Sequence, residues 1–117
     1  MKSQLLKNQN VFLCYNPVDF RKNINGLAGI VQGSFGQDPF NGELFVFINK
    51  SKNAVKVLQW DIDGFVLYHK RRERGKFFWP SLKDEESTIE ISSNDLERLL
   101  AGLVMEKFIP RKNYTIM

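Results

Sequence analysis

ELFVFINKSKNAVKVLQWDIDGFVLYHKR, residues 43–71, alternates apolar runs with short polar turns. ELFVFINK (43–50) is apolar on both of its alternating faces, the pattern of a strand buried in the middle of a sheet. NKSKN is a polar turn. AVKVLQW (54–60) sets Val55 and Val57, then Leu58 and Trp60, at positions that fit a second strand. DIDG turns the chain again, with Gly64 suited to a positive φ. FVLYHKR (65–71) reads as a third strand. RERG makes a further turn, and KFFWP (76–80) predicts a short fourth strand ended by Pro80. Strands at roughly ten-residue spacing predict an antiparallel meander.

Upstream, VFLCY (11–15) reads as a short buried strand stopped by Asn16-Pro17. Asn16 is a good helix N-cap, Pro17 suits the first helical position, and Asp19 falls where a carboxylate helps orphan N–H groups. Phe20, Ile24, Leu27, Val31 and Phe35 recur near a 3.6 period, which predicts a helix over about 17–34. Gly26, Gly29 and Gly33 weaken it by roughly 1 kcal/mol each relative to Ala, or allow close packing on a sheet. Downstream, TIEIS (88–92) predicts one more short strand. Ser92 or Ser93 then caps a helix, NDLERLLAGLV (94–104), with Leu96, Leu99, Leu100 and Leu103 on one face. The sum is an α+β fold: an antiparallel β-meander of four to five strands, with a helix in the N-terminal half and a C-terminal helix packed on it. Helices on one face would leave the other face partly available. The domain is expected over 11–104, with a flexible lead-in at 1–10 and a tail at 105–117.

At 117 residues the chain has room for one core, and with 43 % hydrophobic residues it has the material for it. Its single cysteine, Cys14, forms no internal disulfide and reads as a buried thiol, in keeping with a reducing cytoplasm. No apolar run is long enough for a membrane span. Net charge is +4. Residues 68–80, YHKRRERGKFFWP, hold five cations and one acid, whereas 84–97 hold six acids and no Lys or Arg. A basic surface and a separate acidic one follow.

Signals for catalysis are weak. His69 is the sole histidine, with neither a second His nor a partnering Cys to bind metal. There is no phosphate-binding glycine loop and no nucleophile elbow. Asp61 and Asp63 read first as turn chemistry and only second as part of a metal site with Asp19 or Glu43. No catalytic residue, metal ligand or cofactor is therefore expected. The basic-aromatic stretch is the better signal, since Lys and Arg neutralise phosphates and neighbouring aromatics stack on bases. Strand alternation puts Tyr68, Lys70 and Arg72 on one face and His69 and Arg71 on the other. The residues alone leave a polyanion-binding hairpin and a solvated turn equally open.

Five blocks carry a resemblance: PVDFRK (17–22), GQDPFNGELFVFINK (36–50), VLQWDIDGFVLYHKR (57–71), ERGKFFWP (73–80) and LERLLAGL (96–103). In this order and spacing the chain resembles, from about residue 11 to 103, the TnpB-like accessory proteins. These are encoded by the second open reading frame of insertion-sequence-66-type bacterial transposons, and are distinct from the RNA-guided nuclease of the same name. The resemblance implies a small accessory factor in DNA transposition, working beside a larger DDE-type transposase that does the strand chemistry, and binding element DNA or that transposase. It implies no catalytic residues. Arg72 departs from the pattern, standing where the family usually has an apolar residue.

Two readings follow. In the first, a non-enzymatic protein binds DNA through Arg21, Lys22, Lys70, Arg71, Arg72, Arg74 and Lys76, with Tyr68 and Trp79 as stacking or wedge residues. This requires the start of the first helix and the 70–76 turn to share a face. In the second, an adaptor docks onto the transposase or another accessory subunit through exposed Trp60, Phe65 and Trp79. Self-association through an edge strand belongs with the second.

Overall fold

The computed structural model describes residues 10–80 and 88–102. Five strands and two helices follow one another: β1 (Val11–Cys14), α1 (Ile24–Gly33), β2 (Leu44–Ile48), β3 (Ala54–Asp61), β4 (Gly64–Arg71), β5 (Thr88–Ile91) and α2 (Ser93–Leu100). They form one sheet in the order β4-β3-β2-β1-β5. The expected α+β class, the meander β2-β3-β4 and the central position of β2 are all found. Residues 1–9, 81–87 and 103–117, which hold nearly all of the expected lead-in, the start of the acidic stretch, the end of the second predicted helix and the tail, lie outside the described residues.

Three features differ from the expectation. First, β1 runs parallel to β2, with Val11 opposite Leu44, and antiparallel to β5. The sheet is thus a meander extended by a β-α-β unit. Second, the helices lie on opposite faces. Leu96 and Leu99 of α2 pack with Leu13, Val46, Val57 and Ile91, whereas Leu27 and Val31 of α1 pack with Phe12, Phe45, Phe47 and Leu58. Strand alternation sends these two sets to opposite sides. Both faces are therefore covered, and β1 and β2 are buried throughout. Third, KFFWP is not a strand of the sheet. It packs on the α2 face with Phe77 and Trp79 buried, so its period of two marks a covering segment without a ladder of its own.

α1 begins at Ile24 rather than near Pro17. Asp19 explains the delay: its side chain accepts the Arg21 N–H at 2.9 Å and its carbonyl accepts the Lys22 N–H at 3.0 Å. This local turn competes with helix. The Phe20 and Lys22 carbonyls are in turn taken by Lys56 Nζ, at 3.0 and 2.9 Å. The second helix does start as expected, with Ser92 accepting the Asp95 N–H at 3.0 Å.

Candidate functional site

The basic residues gather at one end of the sheet, where three segments meet. The first is the irregular stretch 17–22, tied to the end of β2 by Val18 N–H donating to the Ile48 carbonyl at 2.9 Å. The second is the β2–β3 turn. Asn49 and Ser51 side chains both donate to Asn53 Oδ1, and Asn49 Oδ1 accepts the Ala54 N–H. Turn polarity is thus satisfied internally, which leaves Lys50 and Lys52 exposed. The third is 72–76, joined to that turn by Arg72 N–H to the Asn53 carbonyl and Phe77 N–H to the Lys52 carbonyl, both at 2.8 Å. Residues 17–22, 49–53 and 70–76 together hold nine cations and two carboxylates. The start of the first predicted helix and the basic turn meet at one end of the sheet, with the β2–β3 turn as the bridge, but they do not share a face as expected: Val18 and Phe20 pack on the α1 side, whereas Lys70 and Arg72 reach the end of α2 on the other. Lys50 and Lys52 are not among the residues expected from the sequence, where NKSKN reads as a polar turn.

The cations do not have equal tasks. Lys70 Nζ donates to the Leu100 carbonyl at 2.6 Å, and Arg72 Nη1 donates to the Lys76 carbonyl at 3.0 Å and the Gly102 carbonyl at 3.4 Å. Both satisfy orphan acceptors at the negative end of α2. The Arg72 guanidinium also lies 5.9 Å from the centre of the Phe77 ring. Half-buried here, Arg72 caps α2 from a position where an apolar residue would only cover it. Gly102 makes room: a Cβ there would lie 2.7 Å from Arg72 Nη1, and its φ of +77° is one that other residues rarely adopt. Arg21 is exposed but bound to Asp19 at 2.6 Å, and Arg71 is bound to Glu73 at 3.3 Å. Lys22, Lys50, Lys52, Arg74 and Lys76 are exposed and have no ion-pair partner among the described residues.

The aromatic members are placed differently from the expectation. Trp79 is 8 % exposed and donates its indole N–H to the Tyr15 carbonyl at 2.9 Å. It is a core residue, and neither a stacking platform nor a docking face is open on it. Tyr68 is half-buried against the α2-side core. Trp60 and Phe65, also half-buried, lie with Phe40 near the opposite end of the β3–β4 hairpin.

Lys56, not singled out in the sequence, is a buried cation, 3 % exposed. Besides its two carbonyl acceptors it lies 4.9 Å from the Phe20 ring centre. Burial lowers its pKa from the ordinary lysine value. His69, opposite Lys56 in the β3–β4 ladder, meets Phe20 edge-on. Its pKa is lowered by desolvation first and by Lys56 and Arg71 after it. Burial pushes the Cys14 thiol up, as suits an inert core residue. Among the described residues no three His, Cys, Asp or Glu side chains gather as metal ligands, and no helix is long and apolar enough to cross a membrane.

Residues 9–109 match the family described as IS66 Orf2-like proteins. Two relatives come from Sinorhizobium fredii (strain NBRC 101917 / NGR234), both titled uncharacterized. Protein y4jC is 36 % identical over 93 residues, covering 80 % of this chain and 78 % of its own length. Protein y4hO is 37 % identical over 97 residues, covering 83 % of each. No solved structure matches the chain. With the family match spanning nearly the whole domain, the chain belongs to the IS66 Orf2-like family, whose members are accessory proteins of transposition.

Proposed function

We propose that this protein assists transposition by holding duplex DNA against its basic end, with no chemistry of its own. The observation that carries this reading is the junction of three cationic segments that leaves Lys22, Lys50, Lys52, Arg74 and Lys76 exposed without ion-pair partners. Cations without carboxylate partners are free to replace the counterions of a phosphate backbone. Arg71 joins them by exchanging Glu73, a surface pair with little to lose. Lys70 and Arg72 shape the contact by fixing the turn on α2, and Trp79 anchors the following segment in the core. Contacts of this kind grip phosphates and carry no sequence information of their own.

The test is fluorescence anisotropy with a labelled duplex carrying the element's terminal repeat, and with a scrambled duplex. Arg74→Ala combined with Lys76→Ala is expected to weaken binding to both by about tenfold at low salt, with the fold intact. Unchanged affinity in that variant, or no binding by the wild type at low salt, overturns the reading. In the latter case the transposase becomes the direct partner to examine.

A further inference from the structure

The far end of the β3–β4 hairpin has the opposite character. Asp61 and Gly64 close its turn. At its tip Ile62 is 89 % exposed and has a φ of +57°, and the Asp63 N–H bonds the Asp61 carbonyl across it. The sequence leads one to expect the positive φ at Gly64, but it falls on a β-branched residue, for which this region is a true outlier. Behind the tip Phe40 is 53 % exposed, presented by Asp38, whose side chain accepts the Phe40 N–H at 3.0 Å. Its ring lies 5.2 Å from Trp60 and 5.3 Å from Phe65. Segments 36–43 and 59–68, which build this end, contain four acids and no Lys or Arg. The result is an apolar knob with an anionic rim. Phosphate and anionic lipid are both repelled by such a rim, so the fitting partner is protein.

The complement is present on the molecule itself. At the basic end an open groove of about 970 Å³ lies between 17–21 and the β2–β3 turn. Pro17, Val18 and Phe20 line it with apolar surface, and Lys50 stands on its wall. Asp19 and Arg21 also line it but neutralise each other, so the uncompensated charge is that of Lys50, with Lys52 close by. Lys56 holds this wall in place through the Phe20 and Lys22 carbonyls.

We propose that the chain associates head-to-tail with a second copy of itself, the Ile62 tip of one copy seated in the 17–21 groove of the next. Knob and groove stand at opposite ends of β3, so a chain cannot fill its own groove. Two knobs face to face would set acids against acids. The contact is therefore heterologous, and each bound copy offers a further knob and groove, which builds an open array. It draws on Lys50, which the DNA reading also uses, and leaves the 71–76 turn outward; without DNA in the test, the two readings fail separately.

The test is sedimentation velocity of the full chain without DNA, at rising concentration and in low and high salt. The wild type is expected to grow in size with concentration, less so in high salt. Ile62→Gly is expected to weaken association by roughly tenfold while its Tm is no lower than wild type, because glycine accepts the positive φ. A tip variant, Asp61→Lys with Asp63→Lys, and a groove variant, Lys50→Glu with Val18→Asp, are each expected to stay monomeric. Mixed, they are expected to associate with each other, since one retains an intact groove and the other an intact tip. A wild type that stays monomeric throughout overturns the proposal. So does undiminished association of Ile62→Gly, or a mixture that remains monomeric although both variants are folded by circular dichroism.

Discussion

Trp79 fills the α2-side core with its ring and ties 77–80 to the end of β1 with its indole N–H. Replacing it by Phe keeps most of the apolar volume and removes the donor. Trp79→Phe is expected to cost about 1–3 kcal/mol in urea denaturation, the sum of a lost hydrogen bond and a partial cavity. Acid should destabilise the fold at two places. The His69 pKa is lowered in the folded state, so the unfolded chain binds the proton more tightly, and stability falls as pH drops through 6.5 and below. Asp19 is held at about 2 by hydrogen bonds from the Arg21 side chain and backbone, so its contribution is present above 3.8 and lost as pH falls from there towards 2. His69→Gln is expected to flatten the upper of these two steps in a Tm-against-pH series and leave the lower one; two unchanged steps would contradict the assignment. The cations at 70–76 were legible in the sequence, but their division of labour was not. Lys70 and Arg72 differ from Arg74 and Lys76 only in what lies beside them, and that depends on where the last turn of α2 comes to rest.

At the scale of elements, local periodicity and turn residues located every strand of the sheet. They failed where a distant partner intervened. The 3.6 period from Phe20 was real, but Asp19 and Lys56 hold 19–22 out of the helix. The period of two in KFFWP was real, but no strand pairs with it. The parallel β1–β2 pairing, and with it the helices on opposite faces, is a property of the crossover and leaves no mark in local pattern. Within α1, Gly29 has open space where a Cβ would go, whereas at Gly26 a Cβ would lie 3.0 Å from the Lys22 Cβ. Gly29→Ala is thus expected to stabilise the protein by about 0.5–1 kcal/mol through helix propensity alone. Gly26→Ala should gain less or lose. Thermal and urea unfolding of the two variants side by side will show whether the segment before α1 is as tightly placed as its contacts to Lys56 require.

For the whole molecule the decisive property is separation of charge along the sheet. A net charge of +4 is modest, yet among the described residues most cations cluster at one end and an apolar, acidic tip stands at the other. A fold with both sheet faces covered has its ends and edges left for partners, and these two ends suit different ones. The most direct test of the central claim is the affinity for a terminal-repeat duplex measured across a salt series, wild type against Arg74→Ala/Lys76→Ala. The account predicts a linear fall of log affinity with log salt for the wild type, and a slope shallower by about two phosphates' worth, roughly 0.9 each, in the variant. A slope near zero, or one that the two substitutions leave unchanged, would contradict it.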